Sequence, residues 1–410
     1  MKKLLLLQVA IATISASAQT TVTVTTGPGI AQQTWYKLTT DAVTSAALAE
    51  WDVAFEINGG FNAGILANTQ KGLQVFQSPY SVADWTTLDT TGMAAGWTVL
   101  HNSDKDWSLG ALNSDVDLDN YNLGWGIYNT VTHVVAGDSI YVVRLTSGDV
   151  KKLRIDALSA GTYNFTYANI DGSDEQVHAV AKADYVGKNY TYWSMATNSA
   201  LDREPAAADW DFVFGKYITD IGQWYGVTGV LQNKGVEVVQ VGGTLPADAT
   251  MDWTAFDTTI SAIGYDWKAF DMNIFQYVVD DSLTYFVKDI PGNLWKVIFT
   301  GFGGSTTGDI TFTKELLSAT GVNETTAANT FVIYPNPALD GMVNVVIDAT
   351  QSTGNLSVID LSGKIVRQEM LNGLNGLSTR TIDIAGLSAG VYTMQFASNN
   401  VSMFSKLIVR

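Results

Sequence analysis

The sequence predicts an all-β protein: two homologous antiparallel sandwich or barrel repeats, then a small immunoglobulin-like β-sandwich. Three observations carry this. Short β-branched and aromatic runs, divided by Gly-, Ser- and Asp-containing turns, recur along the chain. Six blocks of the first half return in the same order in the second. No stretch has the period, length and caps of a long amphipathic helix. The 410 residues are 46% apolar and 15% charged, enough to bury large cores.

Residues 1–18 open the chain. Lys2 and Lys3 precede a short apolar run, 4–12, and Ala16-Ser17-Ala18 follows. This is the pattern of a secretory signal peptide cut before Gln19, and the run is too short for a membrane span. No later segment is long and apolar enough to be a transmembrane segment. Loss of Lys2 and Lys3 takes the net charge from −17 to −19, which argues against nucleic acid or an anionic membrane as partner. Cysteine is absent, so there are no disulfides, thiolate metal sites or lipidated cysteine.

The repeats are assigned to 19–180 and 181–318. Trp51-Asp52-Val53-Ala54-Phe55 returns as Trp210-Asp211-Phe212-Val213-Phe214, and Asp84-Trp85-Thr86-Thr87 as Asp252-Trp253-Thr254-Ala255. The run from Lys71 to Gln77 matches that from Lys234 to Gln240; Asp138 to Arg144 matches Asp281 to Lys288; Lys152 matches Lys296, and Phe165 matches Phe312. Between the third and fourth blocks the first copy has 46 residues and the second 21, an excess of about 25. The excess falls around 97–128, where Trp97, His101, Trp107, Trp125 and Tyr128 stand among acids. Insertions on β-scaffolds land in loops, and loops carry binding function; the alternative is a decorated hairpin whose rings cover the sheet.

Residues 319–330 are small and polar and predict a linker. From 331 to 410 evenly spaced short strands predict the small sandwich. Tyr334-Pro335-Asn336-Pro337, then Asp360 and Gly363 in Ile359-Asp360-Leu361-Ser362-Gly363-Lys364, then Gly390 and Tyr392 in Ala389-Gly390-Val391-Tyr392, and a basic end beginning at Lys406, resemble the type A C-terminal sorting domain of the type IX (Por) secretion system. The resemblance implies Sec and type IX machinery as partners in a Gram-negative bacterium. It also implies passage through the periplasm, and then release or attachment to the outer surface of the outer membrane.

The repeats resemble the HmuY-like family of secreted haem-binding β-proteins. The resemblance rests on Trp35-Tyr36-Lys37-Leu38, the Trp-Asp-x-x-Phe blocks, and the hairpin joining Tyr141-Val142-Val143-Arg144 to Lys152-Leu153-Arg154-Ile155. It implies haem or another porphyrin as ligand. Haem requires axial His, Met, Tyr or Cys, and His101 with His133 is the pair the sequence offers among its three histidines. Trp97, Trp107, Trp125 and Tyr128 complete the expected ligand-binding set. Asp115, Asp117 and Asp119 alternate like Ca²⁺ ligands but lack the Gly and terminal Glu of an EF-hand. No phosphate loop, metalloprotease helix or nucleophile elbow occurs. The expected function is therefore non-enzymatic binding on the cell surface or in the medium. Haem leads by resemblance, glycan or adhesive contact is the alternative, and an extracellular hydrolase comes third.

Overall fold

The computed structural model describes residues 19–59, 63–318, 331–338, 341–349, 353–360, 363–374, 376–398 and 401–410. The expected signal peptide, 1–18, and the expected linker, 319–330, lie outside the described residues. The fold is all-β, its named strands paired antiparallel throughout. The chain divides into two compact units at residues 320/321.

The first unit holds two bodies with one topology. In the first body the ladder runs Gln74–Ser81, Ser139–Arg144, Val150–Ser159, Thr162–Asn169, Gln176–Ala181. In the second it runs Glu237–Val241, Thr284–Lys288, Leu294–Phe302, Asp309–Ser318, Thr20–Thr25. Registers coincide: Val142 faces Lys152 as Phe286 faces Lys296, and Ile155 faces Phe165 as Phe299 faces Phe312.

The second ladder ends on a strand from the other end of the chain. Val22 faces Phe312 as His178 faces Phe165. The second copy therefore opens with Gln176–Ala181, and the 180/181 division cuts that strand. The following hairpins obey the same rule. Gln32–Tyr36 pairs with Phe212–Asp220, placing Tyr36 opposite Phe212. Tyr190–Ser194 pairs with Val53–Glu56, placing Trp193 opposite Val53. Each copy's opening strand and hairpin complete the other copy's body. A ladder strand left without its neighbour would expose a row of unpaired amides and carbonyls, and the exchange covers both edges.

Each body closes on its own core. Phe55, Ile65, Trp125, Tyr141, Leu153 and Phe165 pack in the first; Phe214, Val230, Trp267, Tyr285, Val297 and Phe312 pack in the second. Trp125 and Trp267 are equivalent, since their carbonyls accept the amides of Asp138 and Asp280. Trp125 is thus scaffold common to both copies, and the true excess ends before it.

The second unit is a seven-strand sandwich. Phe331–Tyr334, Met342–Ala349 and Gly376–Asp383 form one sheet. Ile365–Asn372, Thr353–Ile359, Gly390–Ser398 and Val401–Val409 form the other. Alternate apolar side chains, among them Val345, Ile347, Leu356, Val358, Phe396 and Leu407, fill the space between.

Candidate functional site

The paired acids of the Trp-Asp blocks anchor the exchange. Asp52 accepts the Met195 amide at 2.7 Å and the Lys71 ammonium at 2.7 Å. Asp211 accepts the Leu38 amide at 2.7 Å and the Lys37 ammonium at 2.8 Å. Each carboxylate is buried and holds the exchanged segment of the other copy.

A seam lies between the bodies. Arg203 bonds Glu50 at 2.7 Å and the Ala47 carbonyl at 2.9 Å, while its guanidinium covers the rings of Trp35, Trp51 and Tyr192. It clips one exchanged segment to the other. Glu56, fully buried in the first body, takes the Lys234 ammonium from the second and the Ser108 hydroxyl at 2.7 Å. Burial alone would raise its carboxyl, but Lys234, Ser108 and the Gly64 amide hold it below the ordinary range.

The extra segment of the first copy crosses this seam. Trp107 donates its indole N–H to the Gln232 carbonyl at 2.8 Å and meets Trp210 edge-on at 6.3 Å. Asp104 accepts the Thr219 hydroxyl at 2.6 Å. Beneath them lies a cleft of about 60 Å³, lined by Trp35, Trp51, Trp107, Trp210, Tyr192 and Glu204. The Trp210 indole N–H and the Thr69 hydroxyl line it buried and, among the described residues, unpartnered. Gln70, Lys216, Tyr217 and Ile218 line both this cleft and a hollow of about 260 Å³ beside it, so the two form one groove. The side chains of Gln70 and Lys216 carry no hydrogen bond among the described residues, leaving an amide and an ammonium free at its mouth.

Glu204 sits at the groove floor, 3% exposed. Burial pushes its carboxyl up to about 7, against the bonds it accepts from the Tyr192 hydroxyl at 2.7 Å and the Asn189 amide at 3.1 Å.

Of the six residues expected to bind a ligand, Trp107 alone lines the groove, beside the Trp35, Trp51 and Trp210 of the quoted blocks. His101 stacks on Trp224 at 4.5 Å, and burial holds its imidazole below the usual value. His133 is exposed on a hairpin turn with Nδ1 2.7 Å from the Tyr128 hydroxyl. The two histidines therefore sit in separate ring pairs. Trp97 packs against Tyr80 and the small core of Phe76, Trp85 and Ile140, and Trp125 is fully buried with its N–H on the Ala63 carbonyl. Asp115, Asp117 and Asp119 are all exposed, because the 3-10 turn Leu118–Asn120 breaks their alternation. Among the described residues no three His, Asp or Glu side chains converge as a metal site. The groove components and the hollow beside His133, about 200 Å³, are each below the ~300 Å³ at which small-molecule pockets begin.

The sequence reading missed Arg203, Glu204, Gln70 and Lys216. One signal was present: Glu56 stands where the second copy has Gly215, and an acid gained in an apolar strand implies a buried partner.

In the second unit the quoted motifs are turn and closure devices. The Asn336 side chain donates to the Lys406 carbonyl at 2.6 Å and accepts the Ile408 amide at 2.9 Å, fixing the last strand. Asp360 accepts the Lys364 amide at 3.1 Å around Gly363, whose φ of 83° suits glycine. The Tyr392 hydroxyl donates to the Ser388 carbonyl at 2.8 Å, in the loop before Gly390. Tyr334 is exposed beside Pro335 and Pro337.

Residues 332–410 match the family described as secretion system C-terminal sorting domain. The match is confined to the second unit and does not extend into the duplicated bodies. Comparison with curated proteins gave no match. Among the described residues no helix is long and apolar enough to cross a membrane. The chain carries a type IX sorting domain, which directs it through that machinery to the cell surface or the medium.

Proposed function

We propose that the protein is a non-enzymatic binding protein, exported by the type IX route, whose duplicated unit holds a glycan in the seam groove. One observation carries the reading: the extra segment of the first copy lays Trp107 across the seam, over a groove that ends at the free Gln70 amide and Lys216 ammonium. The part of the Trp107 indole left uncovered offers a ring face to a sugar, and unpaired polar groups beside it can fix hydroxyls. At about 60 Å³ the cleft is small for a porphyrin, and an extended chain running on into the adjoining hollow is the occupant we favour.

Tryptophan fluorescence of 19–410, titrated against a panel of soluble polysaccharides, tests this. At least one is expected to shift the emission saturably, and Q70A/K216A to weaken it about tenfold, ~1.4 kcal/mol. No response from any polysaccharide would contradict the reading. The same titration with haem tests the porphyrin that the resemblance implies, for which a Soret shift lost in H101A/H133A is the signature.

A further inference from the structure

The duplication supplies an internal control for a second site, independent of the seam. The hairpin Gly126–Asn129 with Val134–Gly137 in the first body matches Lys268–Asp271 with Gln276–Val279 in the second. Both have four-residue turns closing at a left-handed residue, His133 and Phe275, each with φ 55°. By register Tyr128 corresponds to Phe270. The neighbouring strand gives a third pair: the Lys182 amide bonds the Gly161 carbonyl at 2.9 Å as the Thr26 amide bonds the Gly308 carbonyl at 2.9 Å. Where the second body has Phe, Phe and Thr, the first body has Tyr, His and Lys.

Those three residues of the first body line one hollow of about 200 Å³, with Val135, Leu158 and Ala160 as apolar wall. Tyr128 and His133 are already joined at 2.7 Å. Lys182 lies over the Tyr163 ring at 5.3 Å and makes no salt bridge among the described residues; the carboxylate whose charge it feels, Glu56, is already paired with Lys234. A half-buried unpaired ammonium is a costly thing to keep, since desolvation is not offset by an ion pair. The Thr26 hydroxyl, by contrast, is satisfied on the Gly308 carbonyl at 2.9 Å. A strongly acidic chain has thus gathered a cation without a salt bridge and two hydrogen-bonding groups at one hollow, in one body only.

We propose that this hollow binds a small organic carboxylate, with Lys182 as its charge partner, the Tyr128–His133 pair hydrogen-bonding its oxygens, and Val135 and Leu158 packing its apolar body. The three histidines of the sequence make a direct assay. Imidazole proton resonances of 19–410 are recorded against butyrate and, separately, inorganic sulfate. The expected result is a saturable shift of the His133 resonances with butyrate, His101 and His178 unmoved, and affinity at least tenfold weaker in K182M. K182M keeps the side-chain stem against Tyr163, and the unmoved His101 and His178 resonances report that it is folded. No saturable shift, equal affinity in K182M, or saturation by sulfate and not butyrate would each overturn the proposal.

Discussion

Glu204 is a buried carboxyl whose titration folding moves into the neutral range. Its carboxyl rises from an ordinary 4.5 to about 7 on burial. A folded state that holds the proton more tightly is favoured while the proton is on. The contribution is therefore complete below pH 4.5 and is lost as pH rises through about 7. Urea denaturation from pH 4 to 8 is expected to show E204Q losing this part of the pH dependence, about 3 kcal/mol across the window; a profile parallel to wild type would contradict the assignment. Asp52 and Asp211 are structural anchors, each paired with a lysine, and burial raises the Asp211 carboxyl as it does that of Glu204. D52A leaves Lys71 without its carboxylate and is expected to cost about 3–5 kcal/mol, measured by chemical denaturation, whereas a surface change such as D119A should cost under about 0.5. The Asp anchors were legible in the sequence because both copies carry them beside a Trp. Glu204 was not: nothing local distinguishes a buried carboxyl from an exposed one, and its burial is set by Tyr192 and by segments distant in the chain.

The strands themselves were readable. Alternation and turn residues give Ile140 to Arg144 and its partners, and the repeat alignment pairs Lys152 with Lys296 as the ladders do. The identity of each strand's neighbour was not readable. Thr20–Thr25 has the same alternating pattern whether it lies on Thr162–Asn169 or on Asp309–Ser318, and only the assembled ladders choose. One consequence is asymmetric. The first body is continuous in sequence, whereas the second requires 20–47 from the far end. Deleting 19–47 is expected to leave slow amide exchange in Ser139–Arg144 and Val150–Ser159 while abolishing it in Leu294–Phe302 and Asp309–Ser318. Equal loss in both bodies would contradict the division.

At the scale of the whole molecule, the sorting unit was the most legible part. Its turn motifs are short, local and closely spaced, so the sequence displays them without help from tertiary contacts. Their spacing also matches the fold, with Asn336 gripping the last strand and Tyr392 closing its loop. The sorting unit has its own core, so removing 332–410 is expected to stop export across the outer membrane without altering the melting transition of the duplicated unit. Retention of export in that deletion, scored in the culture medium and on cells, would count against the route. The seam groove was the least legible feature, because it exists only where two bodies built from exchanged strands meet.

That reciprocal exchange is the claim on which seam and groove depend, and a chain without cysteine allows a clean test of it. Thr23 faces Thr311 across the exchanged ladder, their hydroxyls 3.0 Å apart. Without exchange, register would set Thr23 against Asn164, the position that Ala179 occupies instead. Oxidation of T23C/T311C is expected to give an intramolecular disulfide, identified by peptide mass, while T23C/N164C under the same conditions gives none. A cross-link in T23C/N164C and none in T23C/T311C would show that each copy closes on itself, and the seam as described would not exist.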